Sequence, residues 1–433
     1  MTEVSKASAY PKSVQPGLPR LAATPPGWSR SRLSDHLFED ARPVKMADDE
    51  LYDLVTVKRS RGGVVLRERL KGSEIAVKTQ FRLKAGDFLI SKRQIVHGAC
   101  GIVPPELDGA IVSNEYAVLR ARPSLDLDFL NCLAHSIYFQ QTCFHSSIGV
   151  HVEKMIFKLE EWLKWDFDLP PSQDQRRIAE MLSTWDRAIE TIEALIANAR
   201  KQKAALMQAL LTRKRRLPGC AGEWTTTSLG QLGTTFGGLS GKSKADFGTG
   251  APFVTYKNVF ENAVTDPRNV DLVEVGEGER QNPIRFGDIL FTTSSETPEE
   301  VGMSSIVLFD PGTMYLNSFC FGFRPKAPNT IVPAFAAHFF RSEEMRTKIA
   351  ALAQGSTRYN ISKAQLLELR FSLPPPPEQQ SISRILDAAQ ADVNHLNGQL
   401  MALRQEKSAL MQQLLTGKRQ VRTAESEAAS CLS

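Results

Sequence analysis

One heptad-like helical pattern occurs twice in this chain, and that duplication limits what the chain can fold into. Within residues 172–212, steps of four and three pick out Ile178, Leu182, Trp185, Ile189, Ile192, Ile196, Ala199, Lys203, Leu206 and Leu210. Within residues 378–416 the same steps, offset by 204 residues, pick out Ile382, Leu386, Ala389, Val393, Leu396, Leu400, Leu403, Lys407, Leu410 and Leu414. Such spacing gathers apolar side chains into a narrow seam, which is what paired helices in a coiled coil require. The ends repeat almost letter for letter, as Leu206-Met207-Gln208-Ala209-Leu210-Leu211-Thr212 and Leu410-Met411-Gln412-Gln413-Leu414-Leu415-Thr416. Each series holds one lysine, at the same step. A polar seam residue costs stability and fixes register. If the helix centres face each other, Lys203 lies near Ala389 and Lys407 near Trp185, where an ammonium over the indole makes a cation–π contact.

What lies between the helices also repeats. Gly86-Asp87-Phe88-Leu89-Ile90-Ser91 returns as Gly287-Asp288-Ile289-Leu290-Phe291-Thr292, Ser113-Asn114 as Asn317-Ser318, and Arg122-Pro123 as Arg324-Pro325. The chain therefore reads as a proline-bearing arm (1–27), a first mixed domain (28–169), a helical repeat (170–216), a linker (217–223), a second mixed domain (224–373), a second helical repeat (374–421) and a polar tail (422–433). Short β-branched runs punctuated by glycine predict strands, and residues 127–139 predict a helix. The fold class expected is α+β, with two curled-sheet domains separated by two long helices in an antiparallel coiled coil. Ser172 and Gln175 have the spacing of a capping box, and the prolines at 374–377 predict a stiff, extended lead-in to the second helix.

Charge is distributed unevenly. The net charge of +5 is modest for 433 residues, yet residues 58–97 carry eleven Lys/Arg against three acids. Lys58, Arg59, Arg61, Arg67, Arg69, Lys92 and Arg93, with Gln94, are the candidate DNA contacts there, since guanidinium groups suit both phosphates and guanine edges. Residues 224–370 are near neutral, with fourteen basic and fifteen acidic side chains. A nucleic-acid contact in that domain must be local; Lys242-Ser243-Lys244, Tyr256-Lys257-Asn258, Ser294-Ser295 and Arg358-Tyr359-Asn360 are the candidates. A polar turn is the plain alternative for each.

Enzymatic signals are weak. Residues 237–243 resemble a phosphate-binding loop, but position 236, where the motif needs glycine, is Phe236. No metalloprotease helix, nucleophile elbow or clustered histidine–cysteine set is present. The six cysteines form no CxxC pair and read as reduced thiols of a cytoplasmic protein. No secretory signal or membrane-spanning run is evident.

The Leu-Pro-Pro lead-in followed by glutamine, the long helix ending in Leu-Met-Gln-x-Leu-Leu-Thr and the Gly-Asp-x-Leu-x-Ser/Thr strand, all present twice, resemble the specificity subunits of type I restriction–modification systems. The resemblance implies two target-recognition domains, each reading half of a split double-stranded DNA target, with the helices as spacer. It implies a non-catalytic chain that holds no cofactor. Methyltransferase subunits that bind S-adenosylmethionine, and restriction subunits that use ATP and Mg2+, would be its partners. A coiled-coil scaffold that binds no DNA is the alternative on the residues alone.

Overall fold

The computed structural model describes residue 14 and residues 17–327 and 330–421; the expected tail at 422–433, Cys431 and most of the arm lie outside the described residues. Both helical patterns form single helices of 40 residues, Ser172–Leu211 and Pro376–Leu415. The second begins inside the proline run. Pro376 and Pro377 occupy its first turn, where a missing N–H costs nothing and a fixed φ suits the helix, so the extended lead-in is confined to residues 374–375.

The chain divides into two compact units, residues 1–191 with 400–433, and residues 192–399. Each unit holds one β-rich lobe and one half of each helix. In the first, Ile178 and Leu182 share a core with Leu414 and Leu415, with Leu410 and Met411 at its margin. In the second, Leu210 and Leu211 share a core with Ile382 and Leu386, flanked by Leu206 and Met207. The start of one helix meets the end of the other in both units, so the helices pair antiparallel. Leu182 and Leu386 are both fully buried. Every other seam position is buried or half-buried, including Trp185, Ile189, Ile192, Ile196, Val393, Leu396, Leu400 and Leu403.

The seam lysines meet residues one step beyond those expected. Lys203 Nζ donates to Gln390 Oε1 at 2.5 Å, and Lys407 pairs with the Asp186 carboxylate. Among the described residues the Trp185 ring takes part in no cation–π contact; the Lys407 ammonium goes to the neighbouring carboxylate. Positions 186 and 390 are 204 apart, as are 203 and 407, so one contact is made twice.

The lobes repeat one topology. In the first unit a four-stranded antiparallel sheet runs in the order Leu37–Glu39, Tyr116–Ala121, Phe88–Ser91, Cys100–Ile102; in the second the order is Gly233–Gly237, Cys320–Pro325, Ile289–Thr292, Ser304–Ile306. A further sheet of five strands, ending in the edge strand Val64–Lys71, completes the first lobe. A three-stranded sheet takes its place in the second. The Gly-Asp motif has one job in both. Gly86 and Gly287 adopt φ of +84° and +82°, and Asp87 and Asp288 accept the backbone N–H of Lys84 and Arg285 at 2.7 Å, closing the turn into the central strand.

Strand register corrects one sequence correspondence. Leu119 lies opposite Phe88 and Phe323 opposite Ile289, so Arg324 corresponds to Arg120 and not to Arg122. The helix expected over 127–139 is two helices, Leu127–Leu133 and Ile137–His145, because Ser136 caps the second by accepting from Phe139 N.

Gln175 does not close a capping box with Ser172. It is buried, its Oε1 accepts from Asp126 N at 2.8 Å, and its Nε2 donates to Ser124 and Pro170 carbonyls at 3.0 and 2.9 Å. Gln379 repeats the arrangement, accepting from Val332 N at 2.8 Å and donating to Pro374 O at 2.9 Å. Each glutamine ties a long helix to the short helix of its lobe. Among the described residues no helix is long and apolar enough to cross a membrane.

Candidate nucleic-acid interface

Three segments converge at one rim of the four-stranded sheet, and they do so twice. In the first unit Lys92 N donates to Glu115 O and Phe157 N to Lys92 O, both at 2.8 Å. In the second Thr293 N donates to Phe319 O at 2.9 Å and Ile361 N to Thr293 O at 3.0 Å. A short ladder adjoins each: Ile148 opposite Ile156, and Gln354 opposite Asn360. The intervening loops start at Gly149 and Gly355, both with positive φ. The two main-chain bonds and the adjoining ladder recur in both frames; the side chains on them differ.

On the first rim the side chains are basic and held by acids. Arg59 donates to Gln94 Oε1 at 2.7 Å and to Glu153 at 2.8 Å. Arg93 donates to Glu115 at 2.6 Å, and Lys92 to Asn114 O at 3.2 Å. His97 sits 3.2 Å from Glu153, its basicity lowered first by burial and then by Arg59. Preset guanidinium groups lose little freedom when they engage a phosphate or base edge. Ile148 and Val150 are exposed at the adjoining loop.

The other first-unit candidates sit elsewhere. Lys58 is exposed and makes no ion pair among the described residues. Arg61 turns inward: its Nε donates to Ala134 O at 2.7 Å, at the end of the Leu127–Leu133 helix, and burial lowers its pKa. Arg67 and Arg69 lie on the edge strand of the five-stranded sheet, paired with Glu68 and Asp53; the Arg69 hydrogen bond pulls Asp53 below the usual carboxylate range.

On the second rim Ser294 and Ser295 pair with Asn360 and Tyr359, and Tyr256 Oη donates to Ser294 O at 2.7 Å. Arg358 and Lys257 are exposed beside them, Lys257 within 3.8 Å of Glu261. Both serines are buried, and Ser295 donates to Glu300 at 3.2 Å. Asn258 is not available to a ligand. It is fully buried and donates to Asp266 O and Asn269 O at 2.8 and 2.6 Å, pinning a turn. Lys242 is likewise consumed, donating to Glu274 O at 2.5 Å and Glu279 at 2.6 Å, while Ser243 binds Asp246 beside the exposed Lys244. The segment that follows is one 3-10 turn and then the strand Phe247–Val254, so the helix N-terminus that a phosphate-binding loop needs is absent there.

Sequence reasoning missed Glu115, Glu153 and Phe319. Phe319 is 60% exposed, and its N–H is held by Asn317 Oδ1 at 2.8 Å. The signal was available: Phe319 follows Asn317-Ser318 as Glu115 follows Ser113-Asn114.

A second repeated feature is a cleft between the end of a long helix and the Ser-capped start of a short one. In the first unit it encloses about 1000 Å³, lined by Trp28, Arg61, Ser136, Met411, Gln412 and Thr416 among others. In the second it encloses about 550 Å³, lined by Met207, Gln208, Thr212, Ser342, Glu344 and Lys348. Among the described residues no cluster of His, Cys, Asp or Glu could hold a metal ion.

Two lobes of one topology, each bearing a charged or aromatic rim and each tied by a buried glutamine to paired helices, define a duplicated recognition protein. The family described as "Type I restriction modification DNA specificity domain" matches residues 221–403. The type I restriction enzyme MjaVIII specificity subunit of Methanocaldococcus jannaschii is 23% identical, over 92% of this chain and 94% of its own length. The EcoKI specificity subunit of Escherichia coli is 27% identical over 38% of this chain and 35% of its own. Among solved structures, the HsdS subunit from Thermoanaerobacter tengcongensis has the same fold, with a TM-score of 0.51 and 21% identity over 91% of this chain and 98% of that one. The S subunit from M. genitalium gives 0.54 and 12%, over 91% and 97%. Over nearly its whole length the chain is similar to type I restriction–modification specificity subunits, and residues 221–403 match the DNA specificity domain of that family.

Proposed function

We propose that each unit reads one half of a split duplex target through its rim, and that the paired helices set the spacer between the halves. The observation that carries this is the repeated backbone frame with different side chains on it. A sequence reader needs a fixed scaffold and variable contacts. In this reading residues 28–169 and 224–373 are the target-recognition domains, and 170–216 and 374–421 the helical repeats. Arg59, Lys92, Arg93 and Gln94 serve one half-site; Lys257, Arg358, Tyr359 and Asn360 serve the other. Lys58, Arg67, Arg69 and Lys244 are left as phosphate contacts, which position without reading sequence.

The two clefts at the repeat ends are the docking surfaces we assign to two methyltransferase subunits, with restriction subunits joining that core. S-adenosylmethionine, ATP and Mg2+ belong to those partners. The complex acts in the cytoplasm, where its DNA is.

The test is methylated-site mapping in cells that carry the chain with its methyltransferase. Arg93→Ala should relax one half-site and Arg358→Ala the other. Two unchanged half-sites would refute the rim as reader, and binding insensitive to salt would favour a scaffold that touches no DNA.

A further inference from the structure

We propose that one pair of rim positions in each unit decides the base class it reads: Arg93 with Glu115 takes a guanine edge, and Phe319, over a withdrawn Ser294, takes a thymine methyl. This rests on the rim being the reading surface. The two pairs are equivalent by backbone, because the residue before Arg93 and the residue before Ser294 donate to the carbonyls of Glu115 and Phe319.

The chemistry on this shared frame is opposite. In the first unit, Arg93 is 56% exposed, and among the described residues its hydrogen bond to Glu115 is made through Nε. The two Nη groups remain for O6 and N7 of guanine, which a guanidinium can bridge. In the second unit, Ser294 is 8% exposed and Phe319 is 60% exposed. Asn317 fixes the N–H of Phe319 and Thr293 its carbonyl, so the ring is presented by a backbone held on both sides. A phenyl ring offers no hydrogen bond to a base edge. The apolar feature a base pair presents in the major groove is the 5-methyl of thymine.

The experiment uses the complex of the full chain with its methyltransferase subunits and duplexes carrying the mapped target. In the half-site that Arg358→Ala relaxes, thymines are replaced one at a time by deoxyuridine. The intact complex should bind one such duplex about fourfold more weakly, the worth of one buried methyl. Phe319→Ala should bind the thymine duplex that much more weakly and not distinguish it from the deoxyuridine one. In the half-site that Arg93→Ala relaxes, 7-deazaguanine removes N7; the intact complex should lose affinity and Arg93→Ala should lose nothing more.

Equal deoxyuridine sensitivity in the intact and Phe319→Ala complexes overturns the assignment, as does a second half-site with no A·T pair. If Phe319→Ala is silent while Arg358→Ala still relaxes its half-site, the rim survives and the base assignment falls. If both are silent, the rim reading itself fails.

Discussion

Replacing Gln175 by alanine removes the side chain that joins the central helix to its lobe. Three backbone groups lose their partner: the Asp126 N–H and the carbonyls of Ser124 and Pro170. Gln175 is 1% exposed, so water does not reach these groups freely in the intact protein. An unsatisfied buried polar group costs about 1–3 kcal/mol, and carbonyls with a second lone pair fall at the low end. The expected loss is about 3–5 kcal/mol for Gln175→Ala, and about 2–4 kcal/mol for Gln379→Ala, which strands only Val332 N–H and Pro374 C=O. Urea denaturation measures the total; hydrogen exchange at the Asp126 and Val332 amides locates it. A glutamate at 175 keeps the acceptor but sets a carboxylate against two carbonyls. Its folded pKa should therefore rise above the ordinary value of about 4.3. With a raised folded pKa, the stability of Gln175→Glu is fullest below that ordinary value and is lost as pH rises through the folded one. A Gln175→Ala chain within about 1 kcal/mol of the parent, with the Asp126 amide as protected as before, would refute the reasoning.

The helix ends differ in one respect that gives a second prediction. Gly417 and Arg213 are 204 residues apart and both lie in the left-handed region, at φ +64° and +63°. A Cβ on Gly417 would sit 2.5 Å from Pro25, so Gly417→Ala should cost the left-handed penalty of roughly 1–2 kcal/mol plus that clash, whereas Arg213→Gly, trading strain for the cation–π contact with Trp224, should be near neutral by thermal melting. Leu182→Ala and Leu386→Ala, both at fully buried seam positions, should each cost about 3–5 kcal/mol in denaturant titrations; a cost under about 1 kcal/mol would deny the seam its role. His135 is pushed down to about 4, first by burial and then by Arg61 and Lys407. Its contribution is therefore full above the ordinary value of about 6.5 and lost as pH falls through about 4, roughly 2 kcal/mol after allowance for partial exposure, and His135→Gln should flatten that acid limb.

Periodicity is a property of sequence, and what depends on periodicity was legible: both helices, their seam and their antiparallel pairing. Features that depend on where one side chain finds its partner were not. Gln175 has the spacing of a capping partner, yet the carbonyls of Ser124 and Pro170 make a better use of its amide than the helix start does. The basic run at 58–97 predicted one patch and became three populations. Arg59, Lys92 and Arg93 are gathered at a rim, Arg67 and Arg69 are placed on another sheet, and Arg61 is drawn inward to a helix end. Local charge counts do not encode which strand a side chain rides on. Asn258 shows the same limit from the other side: a polar residue in a promising trio proved to be the hydrogen-bonding core of a turn.

Duplication explains why so much could diverge without loss of fold. The rim is held by main-chain bonds, which are indifferent to whether position 115 or 319 carries a carboxylate or a phenyl ring. The junctions are held by one glutamine and one polar seam contact in each unit, and these are the same in both. The lobes should then be exchangeable at those junctions. A chain with residues 224–373 in place of 28–169 keeps Gln175, Lys407 and the Pro170 carbonyl, and its new lobe supplies the Val332 N–H that Gln379 already engages in the original copy. Mapping of methylated sites should show one half-site read twice, with the other gone. A hybrid that folds yet still marks two different half-sites would mean that the helices, not the lobes, carry the reading groups.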